Sequence, residues 1–183
     1  MSASAPYGVP PRMIGVAGEV ADGLIAHPTN STPGYLRDVV RPGLAEGARK
    51  AGRSPAGVRV IANPMTATGP DATSVAAERE AARDVLAFTY STPAYWATLE
   101  HHGWGDVGRA LLARTKAGQW EGMRELVSDA MLDALVPTAP FGEIAAVLRE
   151  RYAGVADALT LRLPKDPAHD AAFARVIAVL REN

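Results

Sequence analysis

Residues Arg12 to Thr29, RMIGVAGEVADGLIAHPT, decide the fold class. Met13, Val16, Ala17 and Val20 recur at steps of three and four, which is one face of a helix. Asp22-Gly23 then stops it, because Gly supplies the left-handed backbone that helix ends often use. Leu24-Ile25-Ala26 is an apolar run too short for a helix and suited to a buried strand, and His27-Pro28-Thr29 follows it directly. A helix running into a buried strand with polar groups at the strand's C-terminal end is the repeating unit of an α/β sheet or barrel. Chemistry in such folds sits at those strand ends.

Outward from this stretch the same unit recurs. Ser2 to Pro11 is an irregular lead-in of small residues, Gly and Pro, with a fragment of strand expected near Tyr7. Pro10-Pro11 starts the first helix where a missing N–H costs nothing, and Gly8 before it allows close backbone approach. The free N–H groups there suit an anion, although a plain Pro-initiated helix explains the same residues. On the other side, Gly34 to Ala51 carries Leu36, Val39, Val40, Leu44 and Ala48 at helical spacing, and Pro42 is expected to kink or divide that helix. Val58, Val60 and Ile61 form a second strand, with Asn63-Pro64-Met65 at its end. Thr66 to Pro70 reads as a break. A long Ala-rich helix from Asp71 to about Tyr90 follows, then further helices over Val107–Ala117 and Trp120–Leu135 separated by Gly118. Pro137 to Pro140 reads as a linker, Phe141–Tyr152 as a helix, Ala158–Leu163 as a third strand ended by Pro164, and Ala168–Arg181 as a last helix.

The count is three helix–strand units around a helical insertion at about 71–135, in a single domain over 1–183. Strands joined through helices are parallel. A closed eight-stranded barrel takes about 250 residues, and much of this 183-residue chain is helical insertion. An open sheet of about three strands leaves apolar margins bare. The expected fold is therefore α/β, a partial barrel that is completed by more strands or by pairing with another chain.

Bulk properties exclude several classes. Net charge is −1, with no basic block, so a nucleic-acid partner or anionic membrane surface has no electrostatic basis. There are no cysteines, which removes disulfides, thiolate metal sites and a Cys nucleophile. No apolar run approaches the roughly 18 residues of a membrane span, and MSASAPYGVPP lacks the basic start and apolar core of a leader. A cytoplasmic location is the resulting expectation. No P-loop, GxGxxG or nucleophile-elbow motif occurs.

RMIGVAGEVADGLIAHPT, YLRDVVRPGLAEGARKAGRSPAGVRV, AFTYSTPAYWATLEHHGWGDVG and LRERYAGVADALTLRLP together resemble the luciferase-like family of flavin- and deazaflavin-dependent oxidoreductases. Within that family the resemblance is to the branch that depends on coenzyme F420, and it runs from Pro11 to Pro164. It implies the C-terminal half of a TIM barrel, with the strands here matching the sixth to eighth. It also implies hydride transfer between a deazaflavin (FMN being the alternative) and an organic substrate. Gly8, Val9, Pro10, Pro11 and Arg12 would correspond to the loop that holds the cofactor's phosphate end, and Ala26, His27 and Thr29 would line the same region. The implied partners are a small-molecule substrate and either a second copy of the chain or a missing N-terminal half-barrel. A half-barrel without activity, serving as a partner or structural subunit, is the alternative.

The remaining candidates have competing structural readings. His27 could meet a phosphate or substrate, or act only as a hydrogen-bonding residue of the fold. Thr29 and Asn30 suit a helix cap as well as an anion. Tyr90, Tyr95, Trp96 and Trp104 could form a substrate wall in the insertion, against the alternative of packing within it. His101 and His102 are adjacent, so on a helix they point apart and make a poor metal pair; no metal site is expected. In a cofactor enzyme the cofactor performs the hydride chemistry, so the lack of an acid–base constellation leaves the oxidoreductase reading intact.

Overall fold

The structure, a computed structural model, describes residues 11–182. The deciding stretch forms helix α1 (Pro11–Val20) and strand β1 (Gly23–Ile25). A 3₁₀ turn at Pro28–Asn30 follows, and Thr32 caps the short helix α2 (Pro33–Tyr35) by accepting from the Tyr35 N–H. The chain then passes through a π-helical turn at Leu36–Val40 into α3 (Arg41–Lys50). Pro42 therefore divides the helix by changing its winding, and the backbone stays helical at the joint. Pro42 has no N–H to bond four residues back. The Arg41 N–H donates five residues back to the Leu36 carbonyl.

Strand β2 (Arg59–Ala62) lies between β1 and β3 (Ala158–Leu159), and both pairings are parallel. Leu24 stands opposite Val60, and Ile61 opposite Ala158. Asp157 ties β3 in at its start. Its N–H donates to the Val60 carbonyl at 2.7 Å, and its carboxylate accepts from the Val60 N–H at 2.6 Å and from Arg41 at 3.0 Å. Partial burial opposes the charge, but these donors prevail and hold the carboxyl below the usual carboxylate range. The third strand is shorter than the Ala158–Leu163 read from sequence. After the Thr160 N–H bonds to the Ala62 carbonyl, β2 has ended and the run has no ladder partner.

Helix α4 (Ala72–Tyr90) is capped by Asp71, which accepts from the Ser74 N–H at 2.7 Å. Helices α5 (Ala97–His101) and α6 (Gly105–Lys116) follow. The single helix expected over Trp120–Leu135 is absent. Gly122 takes φ +71°, a 3₁₀ turn covers Met123–Leu126, and Ser128 starts a new helix, α7 (Asp129–Leu135), by accepting from the Met131 N–H. Two stretches read as connectors are paired instead. The Ala67 N–H donates to the Pro137 carbonyl, the Ala139 N–H to Ala67, and the Phe141 N–H to Gly69. Helices α8 (Ile144–Tyr152) and α9 (Asp170–Arg181) complete the described residues, the latter preceded by a 3₁₀ turn at Pro167–His169.

Two apolar cores result. The first joins Ile14, Leu36, Leu44, Val60, Leu148 and Phe173 around the sheet. The second, inside the helical stretch, joins Leu86, Tyr90, Leu99, Leu111, Leu132 and Val136. In the first, α1 and α3 meet backbone to backbone: a Cβ on Gly47 would overlap the Gly15 carbonyl, and one on Gly18 the Leu44 carbonyl. That contact uses the Ile14 and Gly18 face of α1. The stripe of Met13, Val16 and Val20 consequently turns outward, 45–75% exposed, and β1's Ile25, read as part of a buried strand, is 61% exposed because β1 is an edge strand. Beyond β3 an open groove of about 810 Å³ runs past Leu159, Leu161, Ile177 and Leu180. The sheet is parallel, three-stranded and unclosed, and apolar surface lies bare at both margins.

Candidate functional site

Parallel strands bring all three C-terminal ends to one side of the sheet, and that side is the candidate site. Helix α1 runs back along β1, so Arg12 in its first turn lies at the same end as His27. Arg12 is exposed. Gly8, Val9 and Pro10 lie outside the described residues.

The residues after β1 are bonded mainly to one another. Ala26 is buried, with its N–H on the Ile61 carbonyl. His27 Nδ1 accepts from the Thr29 N–H at 3.3 Å and lies 2.8 Å from Thr29 Oγ1. Partial burial lowers the His27 pKa, which favours the neutral ring that this acceptor role requires. Thr29 and Asn30 are buried, and Asn30 Oδ1 accepts from Thr98 Oγ1 at 3.2 Å, joining the strand end to α5. Ser31 does the most stitching. Its hydroxyl donates to the His27 carbonyl at 3.1 Å and accepts from the Asn63 N–H at 2.9 Å, while its carbonyl accepts from Tyr152 Oη at 2.8 Å. Ser31 and Tyr152 went unnoticed in the sequence because each acts through a partner far along the chain.

The four aromatic candidates do not form one wall. Tyr90 is fully buried in the helical core, its hydroxyl has no partner among the described residues, and burial pushes its pKa up. Trp96 Nε1 donates to the Tyr90 carbonyl at 2.7 Å, and Trp96 packs on Gly108. Trp104 stacks on His102 at 4.5 Å. Tyr95 alone reaches the strand end, stacked on His27 with ring centroids 5.0 Å apart. His101 and His102, expected to point apart, instead meet edge to face with ring centroids 5.2 Å apart, the first also reaching Asp38 at 3.1 Å and the second stacking on Trp104. Among the described residues no group of three or more His, Asp or Glu is arranged to hold a metal ion, and no helix is long and apolar enough to cross a membrane.

A deazaflavin offers a flat ring and a phosphate. The His27–Tyr95 stack provides a planar surface and Arg12 a cation at the same end, so the described residues fit one side of such a group. Most of the polar atoms of residues 26–31 are already engaged with one another, so further donors must come from elsewhere.

A three-stranded parallel sheet, unclosed and flanked by helices, places this chain in the α/β class. The chain belongs to the luciferase-like monooxygenase family, which residues 7–158 match. It is 43% identical over 145 residues to the uncharacterized protein Rv1360 of Mycobacterium tuberculosis and, with the same figures, to the uncharacterized protein Mb1395 of Mycobacterium bovis. Those matches cover 79% of this chain, which spans only 42% of the relatives' length. Among solved structures, 94% of the chain superposes on 47% of a coenzyme F420-dependent tetrahydromethanopterin reductase from Methanopyrus kandleri, with a TM-score of 0.66 and 26% identity. An F420-dependent secondary alcohol dehydrogenase in complex with an F420–acetone adduct shares the fold over the same fractions, with a TM-score of 0.59 and 18% identity.

Proposed function

We propose that this chain is the C-terminal half of an F420-dependent oxidoreductase of the luciferase-like family, with residues 71–135 as a helical insertion. The observation that carries the reading is the 94% superposition on half of an F420-dependent reductase at 26% identity, within a family match over residues 7–158. When bound, the deazaflavin would supply the hydride acceptor or donor. The chain's own part is binding and orientation. The His27–Tyr95 stack would bear on the ring system, and Arg12, with Gly8, Val9 and Pro10, would hold the phosphate. The bare margins at α1–β1 and β3 support completion of the site by a further half-barrel, which would also exclude water from it.

The test is F420 fluorescence titration, with FMN in parallel, on the chain alone and mixed with the part of Rv1360 outside the matched region. The expected result is saturable F420 binding by the mixture, stronger than FMN binding and weakened by Arg12→Gln. A stable complex that binds neither cofactor would overturn the oxidoreductase reading in favour of a half-barrel without activity.

A further inference from the structure

We propose that the cleft between the loops following β2 and β3 binds a small organic oxyanion, a carboxylate or phosphate carried on an apolar body. The cleft has a volume of about 330 Å³ and lies on the strands' C-terminal side, within the size range of ligand sites. One wall carries the hydroxyls of Thr66 and Thr68 and the first turns of α4; the other is the run Arg162–Asp166. Phe141 and Phe173 contribute aromatic surface, edge to face at 5.9 Å.

The unpaired donors in the cleft point to an anionic ligand. Each carboxylate lining the cleft already accepts through one oxygen: Glu78 from Lys165 at 2.8 Å, and Asp166 from the Ala168 N–H at 2.9 Å. Arg162 makes no ion pair or hydrogen bond among the described residues. Thr68 Oγ1 is shielded from solvent and has no partner among them either. An enclosed hydroxyl without a partner is costly, and a guanidinium with five donors suits a planar or tetrahedral oxyanion. The cleft therefore has donors to spare, the Arg162 guanidinium and the Thr68 hydroxyl. Phe141, Phe173, Leu163 and Pro164 supply apolar surface for the rest of the molecule. The binding claim needs only this chain; taking the ligand as the substrate of hydride transfer rests on the function proposed above.

The test is calorimetric titration of the full chain, without cofactor, by phenyl phosphate, benzoate and the neutral benzyl alcohol, with inorganic phosphate as a fourth probe. Saturable binding of the aromatic anions is expected, with benzyl alcohol and inorganic phosphate each weaker. Arg162→Gln should weaken anion binding roughly tenfold or more, Arg162→Lys less, and Thr68→Val should weaken it with the fold intact by circular dichroism. Equal affinity for benzyl alcohol, unchanged anion binding in a folded Arg162→Gln chain, or no saturable binding of any probe would overturn the proposal. Because no F420 is present, failure here is distinct from failure of the oxidoreductase reading.

Discussion

The helical stretch from Ala67 to Val136 and the sheet it interrupts stabilise themselves in different ways. The helical stretch encloses its own core, with Tyr90, Leu99, Leu111 and Leu132 almost wholly shielded, and an arginine–carboxylate network binds its surface. Arg83 on α4 reaches Glu80, Asp129 and the Val127 carbonyl, and Arg124 reaches Glu80 and Asp84. The sheet has only short strands, packs α1 on α3 through glycines, and exposes apolar side chains at its edges. One region can satisfy its hydrophobic surface locally. The other has surface for more neighbours than the described residues supply, as expected of strands taken from a larger barrel.

The contrast is broken most severely at the glycine contact. Gly47→Val should force α1 off α3 and cost on the order of 3 kcal/mol or more, read as a large fall in the urea midpoint or loss of soluble protein. A near-native midpoint would mean that α1 contributes little to the first core. Arg83→Ala is the milder counterpart. It removes charge-assisted bonds from a largely covered side chain and should cost about 1–2 kcal/mol. Amide exchange should accelerate in α4 and α7 while β1 and β2 keep their protection. Equal acceleration in both regions would show that they open as one unit.

The smallest effect is electrostatic. Burial, then the neighbouring His101, lowers the His102 pKa below its ordinary 6.5. The unfolded chain then binds the proton more readily, so stability is fully present above pH 6.5 and declines as pH falls from there towards the folded-state pKa. His27 acts in the same direction. His102→Gln should flatten the thermal midpoint's dependence on pH below that value; an unchanged slope would remove His102 from the account.

What was legible in the sequence followed from local periodicity and punctuation. Helices α1, α4 and α6 and strands β1 and β2 were readable because hydrophobic spacing, Gly23, Asp71 and Gly118 act within a few residues. The division at Pro42 was readable, but its π-helical form was not, since winding depends on what α3 packs against. The split near Gly122 was missed because its apolar residues suit a helix until the positive φ is imposed. The bridge between Ala67 and Thr138 joins residues far apart in the chain, which no local pattern encodes. The candidate site was legible in position and less so in composition. His27 could be placed at a strand end, but Tyr90 proved internal to the helical core, and Ser31 and Tyr152 are linked by a bond spanning 121 residues.

Losing one residue from Leu36–Val40 would let that turn rewind as plain α-helix. Residues downstream would keep their places around the rod's axis, because the wide turn holds one residue more than an α-helix needs for the same rotation. Gly47 would stay against the Gly15 carbonyl, and Arg41 beside Asp157. A one-codon deletion there would thus be absorbed within the turn, whereas the same deletion inside Arg41–Lys50 would rotate the rest of α3 by about 100° and exchange its neighbours.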